Sequence, residues 1–309
     1  TWGSLILAVA LALVARTANA DVISVDENTA LFGTLSQRAI TACGNNTNED
    51  NSSACGPVAA TNSFTYLQNR YPQIYGTNLI QGTPENTAEL LGGVEYMNCS
   101  CDNGTTIGNF ISGKEAWINN FAPNTTRYEV QNYFGGTAAQ APDLGFLSSM
   151  LAEGEDVELL VGFYQTDADG DLQRAGGHYV TLTGVSCDDT DNDGTCSAGD
   201  TPLTISYDDP WGSTQNGLND AVFGTQDLSA ANFTVEYSAD PAGGPDNNDL
   251  TDPFLEIDSY LNGNTTLIEA AVAESPIPEP SGPALILGAI IGLAVIRRLA
   301  RPQRRAAPH

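Results

Sequence analysis

Three side chains in this 309-residue chain have the types and setting for nucleophilic chemistry. Cys55 lies in Ala54-Cys55-Gly56-Pro57-Val58-Ala59-Ala60-Thr61-Asn62-Ser63-Phe64, a thiol at a turn with a helical pattern behind it. At a helix N-terminus the dipole and the unpaired backbone N–H groups favour thiolate, the nucleophilic form of cysteine. His178, in Gly176-Gly177-His178-Tyr179-Val180, is the only histidine besides the terminal His309, so acid–base chemistry near neutral pH falls to it. Asp209 ends Ile205-Ser206-Tyr207-Asp208-Asp209 just before Pro210, and a carboxylate beside an imidazole fixes its tautomer and stabilises imidazolium. Asp208 is the alternative for that role. The alternative for Cys55 is a structural cysteine, buried or disulfide-bonded.

A second constellation lies between the histidine and the aspartate. In Asp189-Thr190-Asp191-Asn192-Asp193-Gly194, followed by Thr195, Ser197 and Asp200, carboxylates fall at positions 1, 3, 5 and 12 with glycine at 6. Oxygen ligands on alternate residues around a sharp glycine turn are calcium-loop spacing, similar to the EF-hand ligand pattern, although strands and not helices flank it. A structural Ca²⁺ is therefore expected on Asp189, Asp191, Asp193, Thr195, Ser197 and Asp200, and no organic cofactor. The competing reading is a solvated acidic hairpin tip. Asp167-Ala168-Asp169-Gly170-Asp171 reads as an ordinary turn or a weaker second site.

The elements that must position these groups divide into two halves. Ala60, Phe64, Leu67 and Tyr71 recur at the spacing of one helix face, with Ser53 as the expected N-cap. A short helix is expected near Leu31–Ile40, and further helices at Glu85–Met97, Gly113–Asn120 and Leu144–Leu151. Beyond Asp156 the texture becomes β, with strands expected at Val157–Gln165, His178–Ser186, Leu203–Tyr207 and Phe233–Tyr237. Ala239–Pro253 reads as a loop or linker, and Phe254–Ala273 fits strand or helix. A helical half followed by an antiparallel half is an α+β chain.

Cys-Gly-Pro at a helix start, then Gly-His-Tyr-Val on a strand, then Asp-Pro on the next strand resembles the papain-like cysteine peptidases, in particular their bacteriocin-processing-like branch. The similarity spans roughly residues 50–212. It implies a papain-like fold, with the Cys-bearing helix packed on an antiparallel sheet bearing His and Asp. It also implies Cys55 as nucleophile, His178 as general base and acid, Asp209 as orienting group, and a peptide or protein substrate. Glu49 stands where that family places its oxyanion-hole glutamine, so Asn48 or Asn51 is expected to take that role. The rival is a non-catalytic calcium-binding surface protein on the same fold; a third option is acyl transfer by the same triad.

The ends carry processing signals. Leu5–Val14 is apolar and Ala18-Asn19-Ala20 has the form of a secretory cleavage site, so residues 1–20 read as a signal peptide. Pro278-Glu279-Pro280, the apolar run 284–296 and an arginine cluster follow one another at the other end. That order resembles the PEP-CTERM sorting signal of Gram-negative bacteria over residues 276–309. It implies export, transient inner-membrane anchoring, cleavage by an exosortase, and release to the cell surface or an extracellular matrix; the alternative is a plain C-terminal anchor. The domain between is 21–275, with a core at about 40–240; residues 21–280 carry five cations against 38 acidic side chains, a formal charge of −33. Such a surface repels nucleic acid and excludes it as a partner. Six cysteines in an exported chain imply disulfides. Cys187 with Cys196 is the expected pair, and Cys43, Cys99 and Cys101 can supply one more. A Cys43–Cys55 bridge would instead remove the nucleophile.

Overall fold

The computed structural model describes residues 21–44, 53–135, 140–166, 172–212, 221–236 and 249–277. The signal run, Asn48, Glu49, Asn51, the 167–171 turn, and the tail with Pro278, Glu279, Pro280 and 284–296 lie outside these. Among the described residues no helix is long and apolar enough to cross a membrane.

The chain is α+β. Its helical half comprises α1 (Cys55–Arg70), α2 (Pro72–Tyr75), α3 (Pro84–Gly92) and α4 (Ile107–Phe121), with α5 (Leu144–Glu153) preceding the main strands. Local chemistry sets their ends. Thr83, Thr106 and Asp143 each accept a backbone N–H three residues on, capping α3, α4 and α5, and Gly154 closes α5 in the left-handed conformation at φ 78°.

The strands are β1 (Asp21–Asp26), β2 (Thr126–Asn132), β3 (Asp156–Thr166), β4 (Leu172–Asp189), β5 (Thr201–Asp209), β6 (Val222–Glu236), β7 (Asp249–Ile257) and β8 (Thr265–Pro276). From β3 to β8 each pairs antiparallel with the next, and β8 returns to β3, so the six close on themselves. β1 adds to β4, and β2 to β8. Alternation along β3 separates two cores. Val157, Leu159 and Val161 join Val180, Ile205, Leu255 and Ile268 inside the ring, closed by Leu147 and Leu151 of α5. Leu160, with Tyr179 and Val272, faces the helices and meets Phe64, Leu67 and Trp117. Asp156 and Glu158 share that outer face and clasp Lys114 of α4 together with Glu274. All four side chains are fully buried, with Lys114 Nζ 2.6 Å from Glu274, 3.6 Å from Asp156 and bonded to Glu158.

Several expectations need correction. Leu31–Ile40 is not a helix but two 3₁₀ turns, Thr29–Leu31 and Gln37–Ala39, the second opened by Ser36. The helix expected at Glu85–Met97 stops at Gly92, where the chain turns through Gly93. The helix at Gly113–Asn120 starts six residues earlier, behind its Thr106 cap. Asp249–Pro253, inside the expected linker, is the first part of β7, and the ambiguous Phe254–Ala273 is two strands. β1, β7 and β8 all belong to the sheet, so the core is wider than 40–240. The apolar stripe on α1 is also not the whole story: Cys55 through Phe64 is buried without interruption, so the first part of the helix is enclosed on all sides, while Asn69 and Arg70 at its end are exposed.

Candidate active site

α1 starts at Cys55, whose neighbour Ala54 is the N-cap and makes no side-chain cap bond. Ser53, the expected cap, instead donates its Oγ to the Cys101 carbonyl at 2.8 Å. The first turn therefore keeps its backbone N–H groups for other partners. Gly56 permits the close approach of the 100–105 turn, since a Cβ there would sit 3.1 Å from Thr105. Cys55 is 8% exposed and is not disulfide-bonded. The Cys43–Cys55 alternative is overturned, because Cys43 pairs with Cys99; Cys187 pairs with Cys196. Cys101 is an exposed free thiol.

β4 delivers His178 and β5 delivers Asp209, and the strand pairing sets them side by side. His178 Nε2 lies 2.8 Å from Asp209 Oδ1, which leaves Nδ1 for the thiol. Asp209 is held by two further donors, Trp211 N at 2.7 Å on Oδ1 and Tyr260 Oη at 2.9 Å on Oδ2. The Trp211 ring stands edge-on to the imidazole, centroids 5.6 Å apart, and is itself 40% exposed, so it roofs the pair. Asp208 points the other way, as strand alternation requires, and accepts from Asn62 Nδ2 of α1 at 3.0 Å. It is not the orienting carboxylate.

The electrostatics follow from these contacts. Burial pushes the Cys55 thiol up, but the hydrogen bond and charge of His178, with the backbone N–H groups of Tyr179 and Gly56, outweigh it and the thiol is lowered overall. Burial pulls the His178 imidazole down, but Asp209 and Cys55 raise it to about 10. Asp209 is held below the usual carboxylate range against burial, chiefly by His178. The three shifts together favour a thiolate–imidazolium pair beside an ionised aspartate.

The loop after Asp209 is clamped by the 36–38 turn. Ser36 Oγ and Gln37 N both donate to Pro210 O, at 3.2 and 2.8 Å, and Arg38 Nε donates to Trp211 O at 3.1 Å. This segment runs back along α1: Leu35 is bonded to Asn62, while Ile40, Ala42 and Cys43 pack on Ala54 and Val58. Gln37, 1% exposed, falls between them in the chain.

In the acidic loop Asp189, Asp191 and Asp193 have carboxylate oxygens all within 4.8 Å of one another, an arrangement that could hold a metal ion. Hard carboxylate oxygens in this number suit Ca²⁺. Of the expected carboxylate ligands, Asp200 is not part of that group. Thr195 Oγ1 donates to Asp193 at 2.7 Å, and Ser197 Oγ to Asp200 at 2.9 Å. Asp200 accepts the backbone N–H groups of Thr190 and Ser197 and closes the loop base.

Tyr260, Trp211, Asn62 and Gln37 were not singled out from sequence. Trp211 is adjacent to the Asp-Pro motif and Asn62 lies in the Cys55 motif, whereas Tyr260 comes from the β7–β8 connection, 51 residues beyond Asp209, with no local signal. No protein-family model and no curated protein matches the chain.

Proposed function

We propose that the chain is an exported cysteine hydrolase of papain-like type that cleaves amide bonds through Cys55, His178 and Asp209. The observation that carries this reading is the line of contacts running from Cys55, at the first turn of a buried helix, through His178 to Asp209 at 2.8 Å. The resemblance of the three motifs to the bacteriocin-processing-like branch supports it.

In the proposed mechanism the Cys55 thiolate attacks the amide carbonyl carbon. The developing oxyanion is met by the Cys55 backbone N–H and one side-chain amide. Gln37 joins Asn48 and Asn51 as a candidate donor for that second place, as a buried amide two residues after Leu35, which is bonded to Asn62 of α1. His178 then gives its proton to the leaving amine, and the C–N bond breaks to leave a thioester on Cys55. Water, deprotonated by His178, adds to the thioester, and the thiolate departs. Asp209 keeps Nε2–H directed to itself throughout, so that Nδ1 serves the sulfur. The Asp189, Asp191, Asp193 group is assigned to a structural Ca²⁺ that stiffens the β4–β5 connection, outside the reaction itself.

The terminal signals support a location. A signal peptidase would remove residues 1–20, and an exosortase would cut near Pro278-Glu279-Pro280 after transient anchoring in the inner membrane, releasing the domain to the surface or matrix.

The test is alkylation of the purified, non-reduced chain at pH 6 with the labelled cysteines mapped by mass spectrometry. Rapid labelling of Cys55, lost in His178→Ala, is expected. A Cys55 that labels no faster than an ordinary thiol would leave the non-catalytic calcium-binding surface protein, and full hydrolytic activity in Cys55→Ala would overturn Cys55 as the nucleophile.

A further inference from the structure

Asp208 is fully buried, yet it faces away from the reacting groups. Its Oδ2 accepts from Asn62 Nδ2 at 3.0 Å, and its Oδ1 has no hydrogen-bond partner among the described residues. Asn62 uses its amide fully. Nδ2 donates to Leu35 O at 3.1 Å, and Oδ1 accepts Leu35 N at 2.9 Å. Gly33 leaves the room for this, since a Cβ there would lie 2.8 Å from Asn62 Cα. One amide thus ties together the three segments that build the site: α1, which starts at Cys55; β5, which ends at Asp209; and the strap whose Ser36 and Gln37 clamp Pro210.

We propose that Asp208 is a positioning residue of the hydrolase, and that its bond to Asn62 sets the nucleophile's helix against the strand of the orienting carboxylate. The inference rests on the hydrolase reading above. The groups around Asp208 are Asn62 and Leu35, with Thr181 of β4 and Phe223 of β6 as cross-strand partners, all uncharged, and Asp209 beside it in β5. In that setting burial raises the carboxyl to about 8, so at neutral pH it is a neutral acid beside the ionised Asp209. A neutral Asp208 accepts from Asn62 without adding a second buried negative charge next to the orienting group. Asparagine has the same shape and the same acceptor oxygen, and can replace it.

The experiment is the pH profile of Cys55 alkylation by iodoacetamide from pH 5 to 9, in the full chain, with Cys101 as an internal exposed-thiol reference. Asp208→Ala frees α1 from β5, so Cys55 loses its registration with His178 and its profile moves toward the ordinary thiol range near about 8.5. At pH 6 its labelling falls by about tenfold or more, while Cys101 is unchanged. Asn62→Ala, which also loses both Leu35 bonds, gives at least that displacement, and the double variant is no worse than Asn62→Ala alone. Asp208→Asn keeps the wild-type profile, which a general loss of stability would not predict. A wild-type profile in Asp208→Ala overturns the inference. So does a shifted profile in Asp208→Asn, the variant that keeps the fold's hydrogen bond should the alanine variant fail to fold. A wild-type Cys55 that labels no faster than Cys101 at pH 6 sinks the hydrolase reading itself, and this inference with it.

Discussion

Tyr260 Oη donates to Asp209 Oδ2 at 2.9 Å, from a turn that shares no local sequence with the rest of the site. Together with Trp211 N and His178 it fixes the carboxylate on three sides, so the imidazole has one orientation open to it. A hydrogen bond to a charged acceptor is worth about 1.5–3 kcal/mol.

Tyr260→Phe is therefore expected to lower kcat/KM by about tenfold with the fold intact. The Tyr260 hydroxyl is one of the groups that depress Asp209, after His178 and Trp211 N. A depressed carboxyl contributes its stabilisation above its ordinary pKa and loses it as pH falls through the folded value. Removing the hydroxyl moves that loss to higher pH, so the acid limb of the rate profile should move up. Rates measured from pH 3 to 7 check this, and an acid limb unchanged from wild type would count against the role.

A Gln37 variant would separate binding of the oxyanion from activation of the sulfur. If its amide is the second oxyanion donor, Gln37→Ala should cut hydrolysis by about 10²–10³. Cys55 alkylation should stay at the wild-type rate, because iodoacetamide forms no oxyanion. Parallel loss of both would instead mark the Gln37 side chain as a support of the 36–38 turn, whose backbone clamps Pro210.

The buried group around Lys114 makes stability depend on pH. Three carboxyls with one ammonium would hold two uncompensated negative charges if all ionised, and one oxygen each of Glu158 and Glu274 lacks a hydrogen-bond partner among the described residues. Burial, with Glu158 beside it, raises Asp156 to about 8, and burial raises Glu274 as well. An acid whose folded pKa is raised stabilises the fold fully below its unfolded pKa of about 4, and that stability is lost as pH rises toward the folded value. The thermal midpoint should accordingly fall between pH 5 and pH 8, and Asp156→Asn should flatten the slope. Lys114→Met, which leaves the carboxyls without their cation, should cost about 3–5 kcal/mol. A midpoint that rises over that range would contradict the assignment.

What the sequence made legible was chemistry carried by rare residue types in short motifs. Cys55, His178 and Asp209 stood out because only one internal histidine exists, Cys55 opens a helix and Asp209 ends a strand; His178, expected at a strand start, lies inside β4. What it hid was anything that depends on tertiary register. Asp208 and Asp209 are equivalent until strand alternation turns one to Asn62 and the other to His178. Nothing near Lys114 in the chain announces the three carboxyls that β3 and β8 bring over it. β7 was obscured because its first half, Asp249–Pro253, has turn composition and becomes strand through pairing with β6. The helix near Leu31–Ile40 was overread from its apolar residues; Leu35 and Ile40 are buried against α1 without a helix to carry them.

The acidic loop gives a prediction that is independent of catalysis. Asp189 is 2% exposed and already accepts the N–H groups of Asp193 and Gly194, so the turn is shaped before any cation arrives. Asp191 and Asp193 are exposed, and their repulsion across the group is what Ca²⁺ would relieve. Calcium at about 100 times its dissociation constant stabilises by about 2.7 kcal/mol, or about 5–10 °C in the thermal midpoint of a domain this size. A chelator should remove that increment, and Asp191→Asn should abolish the response while leaving the chelated midpoint unchanged, because the Asp191 side chain supports little besides the turn. The Cys187–Cys196 bridge holds the loop base in either case, so the midpoint should fall without loss of the fold. A midpoint indifferent to calcium and chelator would make the loop an acidic hairpin tip and nothing more.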